Sequence, residues 1–281
     1  MEVKQWKNVL SAKEEHTITG NIEIVEDFNM PQLERTRRVW IYLPPDYETT
    51  VRDYPVLYMH DGQNLFDEAT ANYGEWEIDE TIEQLFNEGQ TAGVIVVGID
   101  CHPSKRRNEY SPWQHQEENL GGAGAEYVEF LVETLKPYID QNYRTLKDRD
   151  HTAIAGSSMG GFISLYAGFK YQTVFSKIGA FSPALFFNPQ QMNQFLKDKG
   201  KTEKMKVYID VGTKETLDLD YLDYLITADD YLADVKQTAA VLENIGFAKE
   251  NLQLKIDKGA QHQESDWAKR FPPAFLWLFE E

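Results

Sequence analysis

The strongest constraint on this chain is a series of apolar runs of strand length set between stretches of helical period. Pro55–His60 (PVLYMH) and Gly93–Ile99 (GVIVVGI) are nearly continuous, and Thr152–Ala155, Lys177–Phe181, Lys206–Val211 and Asn251–Ile256 repeat the pattern. Runs without a polar face belong to strands covered on both sides, as in a parallel sheet flanked by helices. Asn21–Glu26 and Arg38–Leu43 alternate at the strand period instead, and Pro44-Pro45 stops the second. Ile78–Phe86, Ala125–Gln141, Gly160–Lys170 and Tyr231–Ile245 carry helical stripes. Trp267–Phe279 does too, but it contains Pro272 and Pro273, so a break is expected within it. The alternation predicts an α/β fold with a mostly parallel central sheet of about eight strands and helices on both faces.

No internal repeat, low-complexity stretch or shift of composition divides the chain. Residues 1–20 read as a polar tail or peripheral segment, and residues 21–281 as a single catalytic domain. The net charge of −18 disfavours nucleic acid and anionic membranes as partners, since both demand a basic surface. A single Cys allows neither an internal disulfide nor a multi-thiolate metal site. Nothing resembles a signal peptide or a membrane span, so a cytoplasmic location is expected.

The chemistry concentrates in Gly156-Ser157-Ser158-Met159-Gly160-Gly161, between an apolar run and a helical one. A serine on a tight strand-to-helix turn is held in a strained backbone conformation that exposes its hydroxyl, and small flanking residues let strand and helix approach. The flanking glycines centre the turn on Ser158. A serine needs a base, and His262 follows the last apolar run, where its loop should open on the same sheet edge. His16, His102 and His115 lie in polar or loop segments, His60 ends an early strand, and His151 belongs to the opposite edge. The acid that orients the imidazole should come between Ser158 and His262. Glu215, just after Lys206–Val211, is preferred; Asp218 and Asp220 follow closely, and Asp210 lies within the strand. Two backbone N–H groups should meet the oxyanion: Met159, after the nucleophile, and Gln63, or else Gly62, in His60-Asp61-Gly62-Gln63-Asn64. Neither His60–Asp61 nor Asp100–His102 has the spacing of a catalytic metal site, so no metal or cofactor is expected. The polar stretch from Cys101 to Ala123 is long for a loop, and loops of that kind usually serve function. Trp76, Tyr110 and Trp113 would suit stacking on a sugar or aryl ester, although Trp113 could equally anchor the loop.

With these pieces together the chain resembles the putative-esterase family of α/β-hydrolases, which spans siderophore (enterochelin) esterases, feruloyl and acetyl-xylan esterases, S-formylglutathione hydrolases and mycolyltransferases. The resemblance runs from about Arg37 to Phe279. It is carried by Trp40–Tyr47, Pro55–Gln63, Arg107–Pro112, Gly156–Gly161, Gly212–Glu215 and His262 with Trp267. It implies an α/β-hydrolase fold, the order nucleophile, acid, histidine, and ester hydrolysis through an acyl-enzyme on Ser158. It implies a small-molecule ester substrate, an oxyanion N–H at Gln63, and Arg107, Tyr110 and Trp113 around the substrate. An acyltransferase or thioesterase would use the same triad, and a non-catalytic binding protein would keep only its outline.

Overall fold

The apolar runs become the strands of one sheet. In the computed structural model, which describes residues 2–115, 120–219 and 224–280, the strands are β1 (Lys4–Gln5), β2 (Asn21–Met30), β3 (Arg35–Leu43), β4 (Val56–His60), β5 (Ile95–Ile99), β6 (Thr152–Ser157), β7 (Lys177–Phe181), β8 (Lys206–Gly212), β9 (Leu217–Leu219), β10 (Tyr224–Ile226) and β11 (Leu252–Asp257). The helices are α1 (Ile78–Asn87), α2 (Arg106–Glu109), α3 (Gly124–Phe130), α4 (Lys136–Asn142), α5 (Met159–Lys170), α6 (Pro189–Lys199), α7 (Ala228–Asn244) and α8 (Glu264–Phe279). Nine strands form the sheet in the order β1-β2-β3-β5-β4-β6-β7-β8-β11, and β9 and β10 form a separate hairpin. From β5 to β11 every pairing is parallel; β1, β2 and β3 add an antiparallel edge. The strand beyond the expected eight is β1, two residues pairing with β2.

Successive side chains of a strand point to opposite faces, and the two faces bury two distinct clusters. In β4, Val56 and Tyr58 join the cluster under α3, α5, α6 and α7, while Leu57 and Met59 join the one under α1 and α8. Ile154 and its neighbours Ala153 and Ala155 divide the same way in β6. Each large apolar side chain so buried contributes about 1.5–3 kcal/mol.

The expected helix Ala125–Gln141 is observed as one unbroken helical run made of α3, a π-helical turn over Leu131–Leu135, and α4. The expected break at Pro272 and Pro273 does not occur: α8 runs through both. The prolines remove the N–H partners of the Ala268 and Lys269 carbonyls. Trp267, Phe271, Phe275 and Leu278 are buried on one face before and after them, and that continuous packing keeps the axis intact. Among the described residues no helix is long and apolar enough to cross a membrane.

Candidate active site

The parallel strands all deliver their C-terminal ends to one edge, where open α/β sheets bind ligands. There a cleft of about 700 Å³ is lined by Ser158, Met159, His262, Gln63 and Arg107, with Phe186, Phe187 and Trp267 as apolar wall. Its size is ordinary for a small-molecule site. A second hollow of about 730 Å³ lies at the opposite edge and holds His151, which pairs there with Asp148 at 2.9 Å.

Ser158 caps β6 and precedes α5 with φ 54° and ψ −122°, a conformation that L-residues adopt only under constraint. Its N–H donates to the Phe181 carbonyl at 2.9 Å, and its carbonyl accepts from Phe162 and Ala184. A Cβ on Gly156 would come within 2.9 Å of the Gly160 carbonyl carbon and 3.0 Å of His60 Cδ2, so the close approach of strand and helix excludes a side chain there. Met159 is the first residue of α5, and an N–H at that position has no intrahelical acceptor.

β11 pairs with β8, so the loops after these strands are neighbours, and they bring His262 onto Glu215. His262 Nδ1 lies 3.0 Å from Glu215 Oε2. A carboxylate only accepts, so Nδ1 carries the proton and Nε2 is the basic nitrogen. Glu215 is fully buried. Its Oε1 accepts from Gly212 N at 2.6 Å and from Ser182 Oγ at 2.5 Å, and Arg270 Nη2 lies 3.4 Å away. Ser182, at φ 40°, gathers the surrounding groups: its Oγ accepts from Trp267 Nε1 and Arg270 Nη2, both at 3.0 Å. The Ser182 N–H donates to Asp210 at 2.8 Å. Tyr231 donates to the Ser182 carbonyl at 2.6 Å and holds its ring tilted against that of His262, with centroids 5.3 Å apart.

The other carboxylates are placed differently. Asp210 is fully buried and its partners are Ser182, Tyr208 and Arg270; burial pushes its carboxyl up to about 7, against the opposing pull of Arg270. Asp218 is exposed in the β9–β10 hairpin, and Asp220 lies outside the described residues. Gly62–Asn64 forms one turn of 3₁₀ helix after Asp61, whose φ is 58°. The Gln63 side chain is anchored to Cys101, its Oε1 accepting from Cys101 N at 3.0 Å. Burial, the main cause, pushes the Cys101 thiol up to about 12, so it offers no thiolate to compete with the serine.

Of the four expected substrate contacts, Arg107 alone lines the cleft. Tyr110 is fully buried against His60 and Tyr127, and its hydroxyl accepts from Asp61 N at 3.2 Å. Trp113 is enclosed by Phe162, Tyr166 and Phe195, the packed loop anchor. Trp76 is 2% exposed, between Phe181, Trp267 and Phe271. Trp76 and Tyr110, offered as substrate contacts, are thus internal supports, and Trp113 is the partly buried loop anchor, because each finds other rings to pack against. Among the described residues the aromatic groups at the cleft are Phe186, Phe187, Trp267 and Tyr73, the last 84% exposed at the mouth. Sequence reasoning missed Ser182 and Tyr231; Ser182 could have been found, since it directly follows the apolar run Lys177–Phe181. The two His–Asp pairs are engaged elsewhere: His60 Nδ1 with Tyr127 at 2.8 Å, Asp61 with Arg106 at 2.6 and 2.7 Å, and Asp100 with Trp40 at 2.7 Å.

A serine on a strand-to-helix turn and a carboxylate-held imidazole after the last strand of a mostly parallel sheet define an α/β-hydrolase. The chain belongs to the putative-esterase family, which it matches over residues 31–278, and it is a carboxylic ester hydrolase. It is 27% identical over 248 residues to the Bacillus subtilis (strain 168) protein YbbA, covering 86% of this chain and 92% of that one. The BES protein from Bacillus cereus shares the fold with a TM-score of 0.73 and 16% identity, over 96% of this chain and 98% of the other. The enterobactin esterase FES from Shigella flexneri matches with a TM-score of 0.70 and 18% identity over 95% of this chain, which spans 61% of that enzyme's length.

Proposed function

We propose that the protein is a serine esterase in which Ser158, His262 and Glu215 act as nucleophile, base and orienting acid. The observation that carries this reading is the 3.0 Å contact of His262 Nδ1 with Glu215, in the cleft that Ser158 also lines. His262 Nε2 takes the Ser158 proton as Oγ attacks the ester carbonyl. The N–H groups of Met159 and Gln63 receive the oxyanion, both residues facing the cleft. The proton passes to the departing alcohol, and water hydrolyses the acyl-enzyme by the same route.

The substrate we infer is an ester of an aromatic acid, small or siderophore-like. Phe186, Phe187 and Trp267 supply an apolar wall beside Ser158, and Arg107 a cation. The Shigella flexneri enzyme was crystallised in the presence of 2,3-di-hydroxy-N-benzoyl-glycine, itself an aromatic acyl compound. We place the activity in the cytoplasm, where the lone Cys101 thiol stays reduced. A panel of 4-nitrophenyl, feruloyl, siderophore and acetyl-sugar esters tests the substrate class on wild type and Ser158→Ala. Aromatic acyl esters should show kcat/KM at least ~10-fold above acetyl-sugars, and Ser158→Ala should lose ~10⁴-fold or more on all of them. Preference for acetyl-sugars would refute the substrate class, and an active Ser158→Ala would refute the mechanism.

A further inference from the structure

Away from the cleft, the segment before β2 and the loop leading into α1 enclose a group of carboxylates. Thr17 Oγ1 donates to Glu75 Oε2 at 2.8 Å. Thr19 donates to Asp79 Oδ2 through its N–H at 2.7 Å and its hydroxyl at 3.3 Å. One oxygen of each carboxylate is thereby fixed. The other oxygens, Glu75 Oε1 and Asp79 Oδ1, together with Glu80 Oε2, are shielded from solvent and have no hydrogen-bond partner among the described residues. Asp79 is 0% exposed. One ligand oxygen from each of Glu75, Asp79 and Glu80 lies within 4.8 Å of the other two.

Buried carboxylate oxygens are paired, protonated or bound to metal. Asp67 and Glu68 add negative charge beside Glu75, and His16, whose two ring nitrogens both meet acceptors, Asp67 at 2.8 Å and the Ser11 carbonyl at 3.0 Å, is spent on Asp67. The first turn of α1 contributes at most about half a positive charge, against three carboxylates.

We propose that Glu75, Asp79 and Glu80 bind a divalent cation, Ca²⁺, which fastens the segment Thr17–Thr19 to the loop before α1. All the donors are oxygen, which selects a hard ion. Mg²⁺ demands a near-regular octahedron and gives up its waters reluctantly. Ca²⁺ accepts irregular carboxylate sets completed by water. The ion would stiffen one wall behind the cleft: Trp76, next to Glu75, packs on Trp267 with ring centroids 5.8 Å apart, and its N–H donates to the Asn64 carbonyl at 2.9 Å.

The full chain, stripped with a chelator, is titrated at neutral pH with CaCl₂, MgCl₂ and MnCl₂ by calorimetry, with thermal melts alongside. One Ca²⁺ per chain with Kd below ~1 mM and a Ca²⁺-dependent rise in Tm are expected. Glu75→Gln, at a half-buried position, and Glu80→Gln should each weaken Ca²⁺ at least ~10-fold, an acidic ligand having become neutral. Asp79→Asn should do the same if it folds. No Ca²⁺ binding to wild type, tighter binding of Mg²⁺ or Mn²⁺, or Ca²⁺ affinity unchanged in Glu75→Gln and Glu80→Gln would each overturn the assignment. So would a metal-independent rise in Tm of Glu80→Gln without Ca²⁺ binding to wild type, the signature of a shared proton.

Discussion

Ser182 connects the proposed acid to the rest of the molecule: it donates to Glu215 and accepts from Trp267 and Arg270. Ser182→Ala removes the hydroxyl and leaves the Trp267 indole N–H buried without its acceptor. Stability should fall by about 1–3 kcal/mol, and kcat by ~10-fold with KM little changed, because the residue acts on Glu215 and not on substrate. Denaturant titration and steady-state kinetics measure both; an unchanged kcat would remove Ser182 from the positioning of the acid. Glu215→Gln puts a donor where the imidazole needs an acceptor, so the tautomer inverts and kcat should drop ~10³–10⁴-fold. His60 gives a pH-dependent prediction. Burial, as the main cause, lowers its pKa to about 3, while the unfolded chain protonates near the reference of about 6.5. Between those values the unfolded state binds more protons, so stability falls as pH drops, at up to about 1.4 kcal/mol per pH unit. His60→Asn should flatten the plot of unfolding free energy against pH between ~6.5 and ~4 by that slope; an unaltered slope would mean that His60 protonates in the folded protein.

At the scale of elements, the turn at Ser158 depends on space. Gly156→Ala places a methyl against backbone at 2.9 Å, and backbone cannot swing aside as a side chain can. A loss of about 1–3 kcal/mol is expected, with kcat/KM falling along with it; a stable, fully active variant would mean that the strand–helix approach tolerates a side chain. Helix α8 offers the opposite sign. Pro273 is exposed, and Pro273→Ala restores the N–H partner of the Lys269 carbonyl, so stability should rise by ~1 kcal/mol or more. These elements differ in how far the sequence announces them. β4, β5, β6, β7 and β8 are short apolar runs, so composition marks them within two residues of their observed ends. β1 is only Lys4–Gln5, and its pairing with β2 comes from contact and not from pattern. The hairpin of β9 and β10 lies in a stretch whose carboxylates hide any period. The continuity of α8 depends on rings supplied by the distant Trp76 and Phe181.

For the whole molecule, the net charge of −18 sets a field that opposes anionic substrates. Arg106 is held by Asp61, which cancels much of its local effect. Raising ionic strength from ~10 mM to ~0.5 M should increase kcat/KM several-fold for an ester with an ionised carboxylate and leave a neutral one unchanged; equal responses would exclude steering by the overall charge. The same scale separates what the sequence discloses of the site from what it does not. The order of Ser158, Glu215 and His262, each just beyond a strand, is readable because strand ends converge on one edge. The burial of Trp76 and Tyr110 and the packing of Trp113 are not, because they depend on partners far along the chain. The most direct measurement is intact-mass and peptide mapping after reaction with a fluorophosphonate. One adduct per chain, on Ser158, accompanied by complete loss of esterase activity and blocked by an aromatic acyl ester, is the predicted result. An adduct on another residue, or an esterase that works undiminished with Ser158 modified, would contradict it.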